Sequence, residues 1–182
     1  MTPAADARCD ECGFRPNDVP PSDAAVAARS FARRWRELFT AVTEHEQRRS
    51  ALLVEPLVGG VSAVDRAARV VGAFGQAADD LERIWAHDSP PLPSTERNLA
   101  GGPSAIVAEL GRVSERLSRA IERFESDQWR RTGRRDEQPV TALDVARDAI
   151  HVGIHELRAC RTALEEACEQ PLDEPEVDQW AS

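Results

Sequence analysis

The sequence contains no Lys and no Tyr, and aromatic residues make up only 5% of its 182 residues. All 23 basic side chains are therefore Arg, and 32 acidic ones outnumber them, which gives a net charge of −9. Because phosphate binding needs a concentrated basic face, we expect no binding of nucleic acid. No apolar run approaches the ~18 residues of a membrane span, and the first residues lack the features of a signal peptide. We therefore expect a cytoplasmic protein that does not bind membranes.

Cysteine is also scarce, with four residues in the chain. Four cysteines in a cytosolic protein of this size do not indicate a disulfide scaffold. Cys9 and Cys12 form a CxxC motif followed by Gly13, a spacing that brings two sulfurs to one side of a turn and is typical of metal or redox chemistry. The alternative is a reactive dithiol without a ligand. Cys160 and Cys168 are expected to be ordinary small residues of a helix.

Glycine and proline divide the rest of the chain into four segments with helical periodicity. The pattern is clearest in the third segment, where apolar residues recur at steps of three and four: Ile106, Leu110, Val113, Leu117, Ile121 and Phe124. Ser22 and Asp23 are expected to cap the first helix, over about 22–48. Gly102 with Pro103 should begin the third helix, and Thr141 with Asp144 forms a capping box before the fourth.

Four amphipathic helices of similar length can bury their apolar stripes together. The sequence thus predicts an all-α fold, an up-down-up-down four-helix bundle over residues 22–170. An extended N-terminal tail that carries the CxxC motif (1–21) precedes it, and an acidic C-terminal tail (171–182) follows. We expect one domain, and a homodimer as its assembly.

His151 and His155 lie four residues apart on the predicted fourth helix, so both imidazoles project from one face, within reach of one metal ion. The alternative is a pair of half-buried histidines packed at a helix edge. Glu156 follows His155 directly, and we expect it to be solvated.

The stretch 149–158, which contains these histidines, resembles the closing HxxxH signature of the DinB-like superfamily. The segments 34–38, 61–64, 129–133 and 140–143 also fit that superfamily, and Cys-x-x-Cys-Gly-Phe resembles an actinobacterial subgroup. The resemblance implies an up-down-up-down four-helix bundle. It also implies a divalent metal, usually zinc or nickel, held by the HxxxH pair and one His of the second helix. Some members are transferases or isomerases that use mycothiol or bacillithiol.

The sequence departs from this family at the second helix, where the spacing places Arg69 at the position of the third His ligand. A guanidinium stays protonated and cannot bind a metal. Three interpretations follow. In the first, the bundle is metal-free and acts as a binding or dimerisation module. In the second, other residues complete the metal site. In the third, the metal keeps an open position that binds a thiol cofactor, and the protein is an enzyme that acts on a small-molecule substrate.

Our leading hypothesis is that Cys9, Cys12, His151 and His155 share a zinc ion. The histidines should lie ~25 Å from the start of the first helix at ~1.5 Å per residue. Ten extended residues after Cys12 reach ~33 Å, so the tail is long enough to close the site. His45 and Asp65 are weaker substitutes for the missing ligand.

Overall fold

The computed structural model describes residues 8–44, 49–57, 59–94 and 101–168. The predicted four-helix bundle is confirmed, and it comprises α1 (Pro21–Glu44), α2 (Ala63–Ala86), α3 (Pro103–Ile121) and α4 (Ala142–Cys168). Short 3₁₀ helices lie at Pro16–Asp18, Arg49–Leu53 and Ser126–Arg130. Two strands, β1 (Thr132–Arg135) and β2 (Gln138–Thr141), complete the described part of the chain.

The helix starts follow local capping chemistry. Gly102 is the N-cap of α3, and Pro103 occupies its first turn, as predicted. Before α4, the Thr141 hydroxyl accepts from the Asp144 N–H at 3.1 Å, while the Asp144 carboxylate accepts from the Thr141 N–H at 3.2 Å. This exchange is the predicted capping box.

The start of α1 corrects the prediction that Ser22 and Asp23 cap it. The helix begins at Pro21, so both residues lie in its first turn. Proline suits this position because its fixed φ is helical and the N–H that it lacks would have no partner in the helix.

The order in which the helices pack was not indicated by the sequence. Helix α1 packs against α3 and α4, and α2 also packs against α3 and α4. The consecutive pairs α1/α2 and α3/α4 contact each other little, so they lie diagonally across the bundle. As a result α2 and α4 are neighbours, and side chains of α2 can reach the helix that carries the two histidines.

The antiparallel hairpin of β1 and β2 falls where the sequence predicted only a loop. Thr132 pairs with Thr141 and Arg135 with Gln138, which leaves Asp136 and Glu137 as a two-residue turn. Their φ angles are 49° and 64°, the left-handed pair of a type I′ turn. Such turns usually contain Asn-Gly or Asp-Gly, so Asp-Glu gave no hairpin signal.

The core lies between the four helices and includes Trp35, Phe31 and Phe74, all buried. Gly153 of α4 lies directly against α1, since an added Cβ would be 2.7 Å from the Phe31 ring. No helix among the described residues has a stretch long and apolar enough to cross a bilayer.

Candidate metal centre

The CxxC motif forms a tight turn. The Gly13 N–H donates to the Cys9 carbonyl oxygen at 2.8 Å, and the Cys9 N–H donates to the Phe14 carbonyl oxygen at 2.8 Å. Gly13 has a φ of +69°, in the left-handed region that glycine adopts without strain. The turn follows from the sequence Cys-x-x-Cys-Gly, and it holds both cysteines close together.

The two histidines project from one face of α4, as their spacing predicted. Their ring centroids are 6.1 Å apart. Phe14, next to the CxxC turn, stacks on the His151 ring with the centroids 4.9 Å apart and the planes 10° from parallel. This stacking places the turn directly over the histidine pair.

Cys9, Cys12, His151 and His155 meet in one cluster, which we call the Cys/His cluster. One sulfur or nitrogen atom from each residue lies within 4.8 Å of the corresponding atoms of the other three. The structure thus brings together the four residues that the sequence analysis selected. Residues far apart in the chain meet because the segment before α1 folds back along α4.

Contacts that do not involve the sulfurs hold this N-terminal segment in place. Arg158 of α4 donates to the Cys12 carbonyl oxygen. Arg147, further toward the start of α4, donates to the Val19 carbonyl oxygen at 3.2 Å and to Asn17 Oδ1 at 3.3 Å. Cys12 and Val19 are buried, as is Phe14, and all three belong to the core. The segment is therefore packed against the bundle over its described length.

The surroundings shift the pKa values of the two cysteines of the cluster in opposite directions. Hydrogen bonding to the Cys12 backbone N–H, with a smaller contribution from the adjacent His151, lowers the pKa of Cys9 to about 6. Burial raises the pKa of Cys12. His151 Nε2 is buried and has no hydrogen-bond partner among the described residues. A buried nitrogen without a partner is unfavourable, and a metal ion would satisfy it.

The donor set itself indicates which metals fit. Two thiolates and two imidazoles form a common four-coordinate zinc site. Zn–S and Zn–N bond lengths place the ligand atoms of tetrahedral zinc about 3.3–3.8 Å apart. The most distant atoms of the cluster would need to approach by about 1 Å to reach that geometry.

The other candidate ligands are engaged elsewhere or not described. Arg69, which stands where the sequence resemblance places a third ligand, donates to Glu156 of α4 at 3.2 Å and forms an ion pair with it. Asp65 is bonded to Ser62, the N-cap of α2, at 2.7 Å. His45 lies outside the described residues.

The expectation that Glu156 is solvated is wrong. Its residue exposure is 7%, and it accepts from Arg66 at 3.0 Å as well as from Arg69. Glu156 contacts α2 through Arg66 and Arg69, and its neighbours along the same side of α4 are small and buried: Ala149, Gly153, Cys160 and Ala163. Their spacing of three and four residues was the signal in the sequence that could have placed Glu156 on a buried face.

A cavity of about 290 Å³ lies beside the Cys/His cluster. Cys12 and His155 form part of its wall, together with Glu11, Arg66 and Arg158. The Glu11 carboxylate lies 3.3 Å from His155 Nε2. Small solutes can therefore approach the cluster from one side.

The class of protein defined by these features is a four-helix bundle with a two-cysteine, two-histidine cluster. A solved structure with this fold is YfiT from Bacillus subtilis, described as a probable metal-dependent hydrolase with an unusual four-helix bundle topology. The two share 11% sequence identity and superimpose with a TM-score of 0.67, over 82% of this chain and 88% of YfiT. This likeness supports the four-helix bundle fold. No protein-family model and no curated protein matches the chain.

Proposed function

We propose that this chain is a zinc-binding DinB-like bundle, of the subgroup with an N-terminal CxxCGF motif, and that its zinc is structural. Cys9, Cys12, His151 and His155 would hold the ion and fix the N-terminal segment to α4. The observation that carries the proposal is the convergence of these four donor atoms to within 4.8 Å of one another. A zinc ion with four protein ligands has no open position, and such closed sites stabilise folds rather than perform catalysis.

Arg69 supports a ligand set different from the family's. Its side chain pairs with Glu156, which lies one position after His155. The N-terminal cysteines would supply the coordination that the second helix no longer provides, and two of them compensate for one missing histidine while closing the site.

Elemental analysis of protein purified without a His-tag tests the proposal. We expect one zinc per chain in the wild type and its loss in both Cys9→Ser and His155→Ala. The matched controls are Cys168→Ser and His87→Ala, since neither residue belongs to the cluster and both variants should retain zinc. Zinc that survives His155→Ala would contradict the shared site.

The cavity favours a second candidate, a metal-dependent enzyme. If one protein ligand leaves the metal, a thiol cofactor of the mycothiol type could bind as thiolate beside Cys12 and His155, as in a transferase or isomerase. X-ray absorption spectroscopy separates the two candidates. A closed site has two sulfur and two nitrogen neighbours, whereas an oxygen neighbour or a third sulfur would support the enzyme.

The third interpretation, a metal-free dimerisation module, receives less support. It calls for an apolar outer patch, and the large hydrophobic side chains exposed on the described surface are Val26 and Val54. We retain the homodimer as a proposal that light scattering can test.

A further inference from the structure

We propose that Cys9 and Cys12 form a reversible thiol-oxidation site, at which a hydroperoxide converts the two thiolates into a disulfide and thereby releases the metal. The inference rests on the proposed zinc site and adds a chemical modification to it. It concerns these two cysteines because their sulfurs are within 4.8 Å of each other and belong to one short turn.

The accessibility of the four cysteines differs. Cys9 is half-buried, whereas Cys12, Cys160 and Cys168 are buried. A small oxidant in solution can therefore reach the Cys9 sulfur first, and Cys12 lies in position to act on the product. The proposed metal would hold both cysteines of the cluster as thiolates, which is the form that reacts.

The reaction proceeds in two steps that balance. The Cys9 thiolate attacks the terminal oxygen of the hydroperoxide, the O–O bond breaks, and the alcohol leaves with a proton from solvent, so Cys9 becomes a sulfenic acid. The Cys12 thiolate then attacks the Cys9 sulfur, and the S–O bond breaks to release water with a second proton. The two cysteines lose two electrons in total, and the hydroperoxide gains them.

Zinc release follows from the loss of the thiolates. A disulfide is a poor metal ligand, and His151 with His155 alone form a two-ligand site that is too weak to hold zinc. The N-terminal segment keeps its other anchors, since Arg158 still bonds the Cys12 carbonyl oxygen and Phe14 still stacks on His151. We therefore expect the bundle to remain folded while it loses the ion, so that reduction and added zinc restore it.

The experiment treats the zinc-loaded, full-length protein with cumene hydroperoxide and follows free zinc with a chromogenic chelator. We expect loss of one zinc per chain, a Cys9–Cys12 disulfide in peptide mass spectra, an unchanged helical circular dichroism spectrum, and recovery with a phosphine reductant and zinc. The double variant Cys160→Ala/Cys168→Ala is the matched control and should respond like the wild type. In Cys12→Ser we expect a sulfenic acid on Cys9 that dimedone traps.

Several results would overturn the inference. They are zinc that stays bound under stoichiometric peroxide, oxidation at Cys160 or Cys168 in its place, or a sulfinic acid on Cys9 without a disulfide. If Cys12→Ser fails to fold, the order in which the wild-type peptides become oxidised still shows whether Cys9 and Cys12 react before Cys160 and Cys168. Metal content before oxidation tests the proposed function separately. A protein that contains no zinc overturns both, while a zinc protein that resists peroxide overturns only the oxidation site.

Discussion

Alkaline pH should destabilise this protein through one buried thiol, that of Cys160. Burial raises the pKa of Cys160 from 9.0 to about 12. At pH values well below 9 the thiol is protonated in both the folded and the unfolded states, so it has no effect on the pH dependence of stability. Above that pH the unfolded chain releases the proton and the folded chain retains it, so the free energy of unfolding falls as pH rises.

The expected slope is about 1.4 kcal/mol per pH unit, and the full difference in pKa corresponds to a loss of about 4 kcal/mol. The composition makes this slope measurable. Lys and Tyr, which ordinarily titrate in this range, are absent from the sequence, and Arg remains charged. The difference between wild type and Cys160→Ala then isolates one residue, because the remaining cysteines contribute to both proteins.

Urea unfolding at a series of pH values, under a phosphine reductant, measures the effect. Cys160→Ala should have a free energy of unfolding that is lower by the same amount at every pH, because the substitution leaves a small cavity. It should also lack the part of the pH dependence that Cys160 contributes. The wild-type and variant curves should therefore converge as pH rises from 9 toward 11. Curves that stay parallel over that range would refute the assignment of a buried, protonated thiol.

Two further substitutions test the packing between α4 and its neighbours. Gly153→Ala should gain about 1 kcal/mol of stability from helix propensity but lose about 1–3 kcal/mol to overpacking against Phe31. Gly72→Ala is the control and should show the gain alone, because its added Cβ meets nothing within 4 Å. Equal melting temperatures for the two variants would contradict the close approach. Glu156→Gln should destabilise the fold by about 1–3 kcal/mol, because it removes the carboxylate partner of the largely buried Arg66. If the variant unfolds in urea like the wild type, the Glu156–Arg66 ion pair does not stabilise the fold.

The helices were predictable because their apolar residues follow the helical period and Gly102, Pro103, Thr141 and Asp144 mark their starts. The hairpin was not, since Asp136-Glu137 lacks the glycine that usually identifies a type I′ turn. The diagonal arrangement of α1 and α2 depends on long connections and on the packing of whole helix faces, which no local pattern in the sequence records.

The candidate site was predictable in its parts. A CxxC turn and an HxxxH helix face are local geometries, and each follows from spacing alone. Their meeting depended on where the N-terminal segment lies, and chain length sets only a maximum reach for that segment. The burial of Glu156 was missed because its neighbour along the chain, His155, faces the cluster while Glu156 faces α2, about 100° further around the helix.

The distance along the chain between the two halves of the Cys/His cluster affects how the protein is made. Cys9 and Cys12 leave the ribosome early, and His151 and His155 emerge only after three helices have been synthesised. During that interval neither His151 nor His155 is available as a partner for the cysteines. At the proposed metal site, loading would therefore follow the synthesis of α4, and a chain that ends before α4 could not complete the cluster.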